Sequence, residues 1–284
     1  MKLIKPSFEI IKQPSGLEGM YKQIELVGRV SHKSEDRITD NSAKGFVDRI
    51  IKSNHGSVLE FGTVYLNIHW ENETHEVFDN MFKFYNENPY SKIVKKITNA
   101  EDLCPDLFIS TNYRVLAEHN RFNDLKYLCE PTEYHEKRIC VKFILPIGIS
   151  REFCRHRTFS FMELSTRYVN MSGDKMGNEI TFIKSLFQQD FITSTIYYEW
   201  EAALMEAEAS YNNLIKAGLK PQTARGVLPL DTKTELYMCG YIEDWRHFFH
   251  LRSNKYGIGG AHPLADELAT PLYEEFINKG YINE

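Results

Sequence analysis

The sequence lacks the features that mark several large classes of protein. Its five cysteines are an odd number, with no C-x-x-C pair and no histidine partner at zinc-site spacing. This usage argues against a disulfide framework or a metal site and favours a reduced compartment. No apolar run approaches the length of a membrane span, and residues 1–12 lack the apolar core and cleavage site of a signal peptide. We therefore expect a cytoplasmic protein that does not enter a membrane.

Two further absences concern nucleotides and nucleic acids. The glycines of Gly257-Ile258-Gly259-Gly260 lack the strand and helix context of the Rossmann and phosphate-loop motifs. The chain has 34 basic and 39 acidic residues, a net charge of −5, which argues against a broad nucleic-acid surface. At 284 residues with 42% hydrophobic content, it has the composition of an ordinary globular protein, and we expect one domain over residues 1–284.

What the sequence does contain is a dense group of charged and hydroxyl side chains between residues 151 and 168. The group consists of Arg151, Glu152, Arg155, His156, Arg157, Thr158, Ser160, Glu163, Ser165 and Arg167. Arginine forks bind phosphate or carboxylate at two points, so several together predict a polyanionic ligand. Composition alone favours surface ion pairs. The fixed spacing favours a site, and an extended backbone over residues 163–167 would place Glu163, Ser165 and Arg167 on one face.

Periodicity predicts helices and strands without regular alternation, which indicates an α+β fold. Helices are predicted over residues 17–30, 42–55, 114–129, 147–155, 188–216, 241–252 and 262–279. Strands are predicted over residues 63–70, 137–145, 180–183 and 232–238. Apolar and polar side chains alternate over residues 63–70, which predicts that this strand is half-buried. The second helix is expected to end at His55-Gly56, because glycine readily takes the left-handed cap conformation.

The predicted helix over residues 241–252 carries an unusual stripe. Trp245, Phe248 or Phe249, and Arg252 fall on one face. An arginine at the end of an aromatic stripe is costly to bury without an anionic or polar partner. Arg252 is therefore a candidate for a ligand contact.

The spacing Arg155-His156-Arg157-x-x-Ser160-x-x-Glu163-x-Ser165-x-Arg167 resembles the signature of the flavin-dependent thymidylate synthases. Shorter elements of that family resemble R-V-S at 29–31, H-G-S-V-L-E-F at 55–61 and A-R-G-V-L-P-L at 224–230. The sequence departs from the family pattern at Met162, at Glu152 in place of glutamine, and at Phe61 in place of histidine.

The resemblance implies a mixed sheet flanked by helices, with an insertion around residues 71–105 whose role is not evident. It implies a homotetramer with sites shared between subunits. The implied reaction converts dUMP to dTMP with 5,10-methylenetetrahydrofolate and NADPH through FAD. No cysteine nucleophile is needed, so Cys154, the obvious thiol beside Arg155, is expected to be a packing residue.

The same resemblance assigns residues to two sites. The implied flavin site consists of Ser31, His55, Ser57, Arg155, His156, Arg157, Glu163 and His247. The implied nucleotide site consists of Glu152, Arg155, Glu163, Ser165, Arg167, Arg225 and Arg252. Arg252 is the expected catalytic residue, because a fixed charge beside the pyrimidine stabilises developing negative charge. Two alternatives remain: a same-fold enzyme using another pyrimidine nucleotide or one-carbon donor, and a non-catalytic nucleotide-binding or nucleic-acid-binding protein.

Overall fold

A computed structural model describes residues 1–70, 73–97, 105–184 and 195–283. The strands are β1 Lys2–Ile4, β2 Ser7–Ile11, β3 Thr63–Ile68, β4 Lys92–Lys96, β5 Asp106–Asn112, β6 Arg138–Pro146, β7 Ser160–Glu163, β8 Thr181–Ile183 and β9 Lys233–Tyr241. The α-helices are α1 Gly16–Val30, α2 Ser42–Lys52, α3 His75–Glu87, α4 Tyr113–Glu118, α5 Ile147–Phe153, α6 Thr195–Lys216, α7 Pro221–Ala224, α8 Ile242–Arg252 and α9 Pro263–Asn278. This mixture confirms the predicted α+β class. The predicted start of the long helix, at residue 188, lies outside the described residues.

The chain forms two compact units that are both discontinuous in sequence. The first unit comprises Met1–Ile10, Arg29–Asp36 and Val141–Glu284. The second comprises Ile11–Gly28 and Arg37–Cys140. The single domain expected from the sequence stays a prediction.

In the first unit, a four-stranded sheet has the order β2-β6-β9-β7. Strand β7 is antiparallel to β9, with Ser160 opposite Cys239 and Glu163 opposite Leu236. A separate parallel pair joins β1 to β8. On one face of the large sheet, the Phe143 ring lies 5.2 Å from that of Phe153 and 6.3 Å from those of Trp245 and Phe248. Helices α5 and α8 therefore pack on the same face.

A buried carboxylate surrounded by lysines lies on β9. Glu235 is 2% exposed; its Oε1 accepts from Lys33 at 2.7 Å and also from Lys233. Lys142 Nζ lies 3.1 Å from Oε2 but is not aligned as a hydrogen bond, so Oε2 lacks a hydrogen-bond partner among the described residues. Burial opposes ionisation, yet Lys233 and Lys33 outweigh it and lower the pKa of Glu235 to about 2. The Glu235 carbonyl accepts from Leu164 N at 2.9 Å, which ties this cluster to the segment after β7.

In the second unit, β3, β5 and β4 form an antiparallel sheet with β5 in the centre. Helix α3 and strand β4 fall inside the predicted insertion, whose residues 71–72 and 98–104 lie outside the described residues. The prediction of a half-buried β3 is wrong, because nearly every residue of that strand is buried. The Tyr65 hydroxyl accepts from Arg138 N at 3.0 Å, so protein groups replace water on the face expected to be solvated.

Two predicted helices end early, each beside an asparagine in the left-handed region. Helix α2 ends at Lys52, and Asn54, with φ of 56°, takes the conformation expected of Gly56. The helix predicted over residues 114–129 is α4, which ends at Glu118 and is followed by Asn120 with φ of 53°. A short 3-10 helix, Phe122–Tyr127, completes the segment. Asparagine tolerates this conformation better than most residues, and it terminates both helices.

The lysine-enclosed carboxylate generates a stability prediction. Glu235→Gln would leave buried lysine charge uncompensated, and we expect a loss of about 3 kcal/mol in the free energy of unfolding near neutral pH. The folded pKa lies below the ordinary value of 4.5. The contribution is therefore fully present above about pH 4.5 and disappears as pH falls through about 2.

Chemical denaturation of the wild type and the variant as a function of pH measures this difference. Glu243→Gln is the matched control, because the Glu243 side chain is 85% exposed and lies 4.0 Å from Arg246. A Glu235→Gln variant as stable as this control at neutral pH would contradict the role given to the cluster.

Candidate active site

The first half of the signature is positioned by α5. Pro146 precedes the helix, and Ile147 N and Gly148 N donate to the carbonyls of Thr232 and Leu230, both at 3.0 Å. The helix ends at Phe153, whose buried ring meets that of Phe248 edge to face at 4.8 Å. Aromatic packing therefore fixes the position of residues 152–156.

Arg252 is the last residue of α8 and lies beside this segment. Its Nη1 donates to Glu152 Oε2 at 2.6 Å, and its Nη2 donates to the Glu152 carbonyl at 2.9 Å. Its Nε donates to His156 Nε2 at 3.1 Å. The polar partner expected for this arginine is thus present within the protein, and it includes a carboxylate.

His156 accepts that hydrogen bond as a neutral ring. Burial, followed by the charges of Arg252 and His247, lowers the pKa of His156 to about 4. Its ring lies 5.1 Å from Phe248 and 5.9 Å from the exposed His247. The imidazole is therefore uncharged at neutral pH, and its Nε2 carries the lone pair that faces Arg252.

The second half of the signature bends instead of extending. Strand β7 ends at Glu163. Ser165 Oγ accepts from Arg167 N at 3.3 Å, and the Ser165 carbonyl accepts from Val169 N at 3.0 Å. Serine favours such turns because its hydroxyl bonds the following backbone. The prediction that Glu163, Ser165 and Arg167 share one face of an extended strand is therefore wrong.

Two other predicted site residues lie beside this turn. Ser31 contributes its carbonyl to Ser165 N at 3.1 Å. Arg225 Nη1 donates to Thr166 Oγ1 at 3.3 Å. The structure thus brings Ser31, Arg225 and the residue 165–167 segment together within one chain.

An open cavity of about 510 Å³ adjoins the turn. Its wall includes His32 and Tyr168, whose rings stack at 4.7 Å with an interplanar angle of 15°. His32 Nδ1 lies 2.8 Å from Ser31 Oγ. The sequence analysis did not select Thr166, His32 or Tyr168. Thr166 contacts Arg225, and Tyr168 stacks on His32, so each contact joins segments that are distant in the sequence.

The exposed arginines of the signature differ from Arg252. Arg155, Arg157 and Arg167 are all exposed, and none has an ion-pair partner among the described residues. Arg167 instead lies over the neighbouring Tyr168 ring, 5.0 Å from its centroid. Surface ion pairing therefore does not explain this arginine group, whose guanidinium groups can accept an anion.

Two half-buried titratable groups, Glu163 and Cys154, lie in the signature and immediately before it. Burial raises the pKa of Glu163, which favours its protonated form more than in water. Burial, with a smaller effect of the Glu163 charge, raises the pKa of Cys154 to about 12. A thiol with so high a pKa is a poor nucleophile at neutral pH.

His55 and Ser57 belong to the second unit, and both are exposed. His55 precedes the 3-10 helix Gly56–Phe61, and its Nδ1 lies 3.3 Å from Ser53 Oγ. Their flavin contacts stay a prediction. Phe61, which departs from the family pattern, is fully buried and packs as a core residue.

In the described ranges, no cluster of three or more histidine, cysteine or acidic side chains is arranged to hold a metal ion. Within the same ranges, no helix is long and apolar enough to cross a membrane.

Comparison with known proteins defines the class. The model of the family described as thymidylate synthase complementing protein matches residues 133–276, just over half of the chain. The matched range contains the signature, Arg225 and Arg252. A flavin-dependent thymidylate synthase of Synechocystis sp. is 31% identical over 172 residues, which cover 56% of this chain and 80% of that protein. The chain belongs to the flavin-dependent thymidylate synthase family.

Two further proteins show similarity to the chain, one in sequence and one in structure. A probable flavin-dependent thymidylate synthase of Paramecium bursaria Chlorella virus 1 is 30% identical over 139 residues, or 46% of this chain and 62% of that protein. The chain thus spans less than two thirds of this viral relative. The crystal structure of a UMP/dUMP methylase, PolB from Streptomyces cacaoi, bound with 5-Br UMP, is 16% identical with a TM-score of 0.47, covering 98% and 92% of the two chains.

The raised pKa of Cys154 is open to direct measurement. Near neutral pH, we expect iodoacetamide to modify Cys154 at least about tenfold more slowly than a free cysteine, because little thiolate is present. The rate should keep rising well above pH 9, towards the folded pKa of about 12. Mass spectrometry of the labelled peptide gives the rate, and the denatured chain is the control. Rapid labelling with a midpoint below the ordinary thiol pKa would show an activated thiolate instead.

Proposed function

We propose that this protein converts dUMP to dTMP by reductive methylation, with methylenetetrahydrofolate as carbon donor and NADPH as reductant through FAD. The observation that carries this proposal is the fixed guanidinium of Arg252 at the end of the aromatic stripe, beside a neutral His156. Family membership supports the reaction class. The proposal assigns the chemistry to bound groups and to electrostatics, without a cysteine nucleophile.

Arg252 has donors to spare for a substrate. A guanidinium carries five N–H groups, and three are used on Glu152 and His156, which leaves one on each Nη nitrogen. A pyrimidine carbonyl oxygen is an acceptor for such donors. Negative charge on the carbonyl side of the ring grows as C5 is made nucleophilic, and a preorganised guanidinium stabilises that charge more in the transition state than in the ground state.

The nucleotide phosphate suits the other end of the signature. Arg167 and Arg225 both lie at the residue 165–167 turn, and both are exposed. The Ser165 hydroxyl lies in the same turn, where it already accepts from Arg167 N. Arg155 supplies a further cation that has no ion-pair partner in the described part of the chain, and Glu163 would hydrogen-bond the nucleoside. Charge-assisted, two-point contacts from arginine are well suited to a phosphate monoester.

The residues proposed for FAD fit an anionic cofactor with an aromatic ring. Arg157 is exposed and has no ion-pair partner within the described ranges, so its guanidinium suits the cofactor diphosphate. His247 is exposed and lies against His156, where it can contact a planar ring system. Ser31, His55, Ser57, Arg155, His156 and Glu163 complete the proposed set. A reduced flavin bound there supplies the hydride.

We further propose a cytoplasmic homotetramer with sites shared between subunits. Exposed apolar side chains on α6 support an interface: Ile196 is 64%, Tyr198 65% and Met205 58% exposed. Apolar and aromatic side chains gathered on one surface helix are typical of contact surfaces.

The direct test is reconstitution of the reaction. The purified protein with dUMP, methylenetetrahydrofolate, NADPH and FAD should produce dTMP, and omission of any one component should abolish product. Chromatography of the nucleotides detects dTMP, and the visible flavin spectrum reports cofactor binding. Turnover of UMP in preference to dUMP would favour the same-fold alternative. A protein that binds nucleotide but no flavin would be the non-catalytic alternative.

A pair of variants separates binding from chemistry. Arg167→Ala should mainly raise the KM for dUMP, because a phosphate contact persists from ground state to transition state. Arg252→Ala should lower kcat by about 10²-fold or more, the scale seen for loss of one preorganised donor. Arg252→Lys should recover little, since a point charge does not reproduce the planar fork.

Flavin content, measured from the visible spectrum, should stay near the wild-type level in these variants. If Arg252→Ala changes only KM, or loses its flavin, then Arg252 is a binding or structural group and the catalytic role is wrong.

A further inference from the structure

Glu152 places a carboxylate directly on the proposed catalytic arginine. Its Oε2 lies 2.6 Å from Arg252 Nη1, and its side chain is 37% exposed, so solvent and solutes reach it. The Arg252 side chain is 18% exposed, which leaves its remaining donors accessible as well. Any acceptor that approaches Arg252 therefore also approaches the Glu152 carboxylate.

Within the described residues, the other arginines of the proposed site are not paired with a carboxylate. Arg155, Arg157 and Arg167 have no ion-pair partner within the described ranges, and the hydrogen bond of Arg225 goes to the uncharged hydroxyl of Thr166. The third contact of Arg252, His156, is uncharged and serves as an acceptor. Among these arginines, Arg252 alone is paired with an anion in the described part of the chain.

A nucleotide monophosphate presents two kinds of acceptor to such a site. The phosphate is a dianion, whereas the base carbonyl groups are neutral. An unpaired guanidinium favours the phosphate, because the two carry opposite charges and the arginine fork can donate two parallel hydrogen bonds to it. Beside a carboxylate, the phosphate meets like-charge repulsion at short range, while a neutral carbonyl does not.

We propose that Glu152 excludes phosphate from Arg252 and so makes this arginine selective for an uncharged carbonyl. The nucleotide can then bind in only one direction, with its base at Arg252 and its phosphate at the unpaired arginines. The orientation of the bound nucleotide rests on the function proposed above. The exclusion of phosphate from Arg252 does not depend on that function. Glu152 thereby acts through Arg252 as a specificity-determining positioning residue, and needs no contact with the nucleotide.

Isothermal titration calorimetry with inorganic phosphate tests the exclusion without any turnover. Glu152→Gln keeps an oxygen acceptor for Arg252 Nη1 and removes the charge. We expect this variant to gain a phosphate site or to bind phosphate on the order of tenfold more tightly than the wild type. The double variant Glu152→Gln/Arg252→Gln should lose that gain. Glu243→Gln, which removes an exposed carboxylate from α8, the helix that carries Arg252, should bind phosphate like the wild type.

Glu152→Ala provides a second comparison if the glutamine variant does not fold, since the Glu152 carbonyl and His156 still hold Arg252. Folding is checked by circular dichroism. Wild-type phosphate affinity in a folded Glu152 variant would overturn the proposal. A gain that persists in the double variant would also overturn it, because the new site would then not be Arg252. The assay contains no folate, reductant or dUMP, so its result is independent of whether dTMP is formed.

Discussion

The structure around the signature depends on one electrostatic requirement, the accommodation of the Arg252 guanidinium beside an apolar core. Trp245, Phe248 and Phe249 are fully buried on the same helix, so Arg252 cannot remain there without partners. Glu152 and His156 provide them from a segment that aromatic packing holds against Phe248. The hydrophobic core and the charge pairing therefore determine the same geometry, and the proposed chemistry requires that geometry.

The opposite end of the signature is held by a different charged cluster. Glu235, enclosed by Lys33, Lys142 and Lys233, bonds the backbone after β7 through its carbonyl. Glu235, Lys233 and Lys142 of this cluster lie on the sheet strands β9 and β6, whereas Arg167 in the following turn is exposed. A held strand followed by an open turn fits the proposed division between Arg252, which is fixed by its partners, and arginines that would adjust to a ligand.

The sequence predicted the parts of this arrangement that depend on local pattern. The fold class, β6, α8 and the aromatic stripe ending in Arg252 follow from periodicity, and the family follows from the spacing of the signature. The pairing of Arg252 with Glu152 joins residues 100 positions apart, and no local signal encodes it. The early ends of α2 and α4 depend on left-handed asparagines, which sequence propensity distinguishes poorly from helical ones. Lys233 and Glu235 did offer a signal, because alternate residues of a strand share a face.

In the proposed site, the distribution of partners among the arginines determines the direction in which the nucleotide binds. Arg252 is paired with a carboxylate, whereas Arg155, Arg157 and Arg167 have no ion-pair partner in the described ranges, so chemically identical guanidinium groups stand in different electrostatic surroundings. Pairing does not remove the donors of Arg252, since two N–H groups remain. It changes which acceptor those donors favour, because repulsion from Glu152 acts on a phosphate and not on a carbonyl. Glu152, where the sequence departs from the family pattern, thus has a physical reason to be in the proposed site: its negative charge would separate the end that takes the base from the end that takes the phosphate.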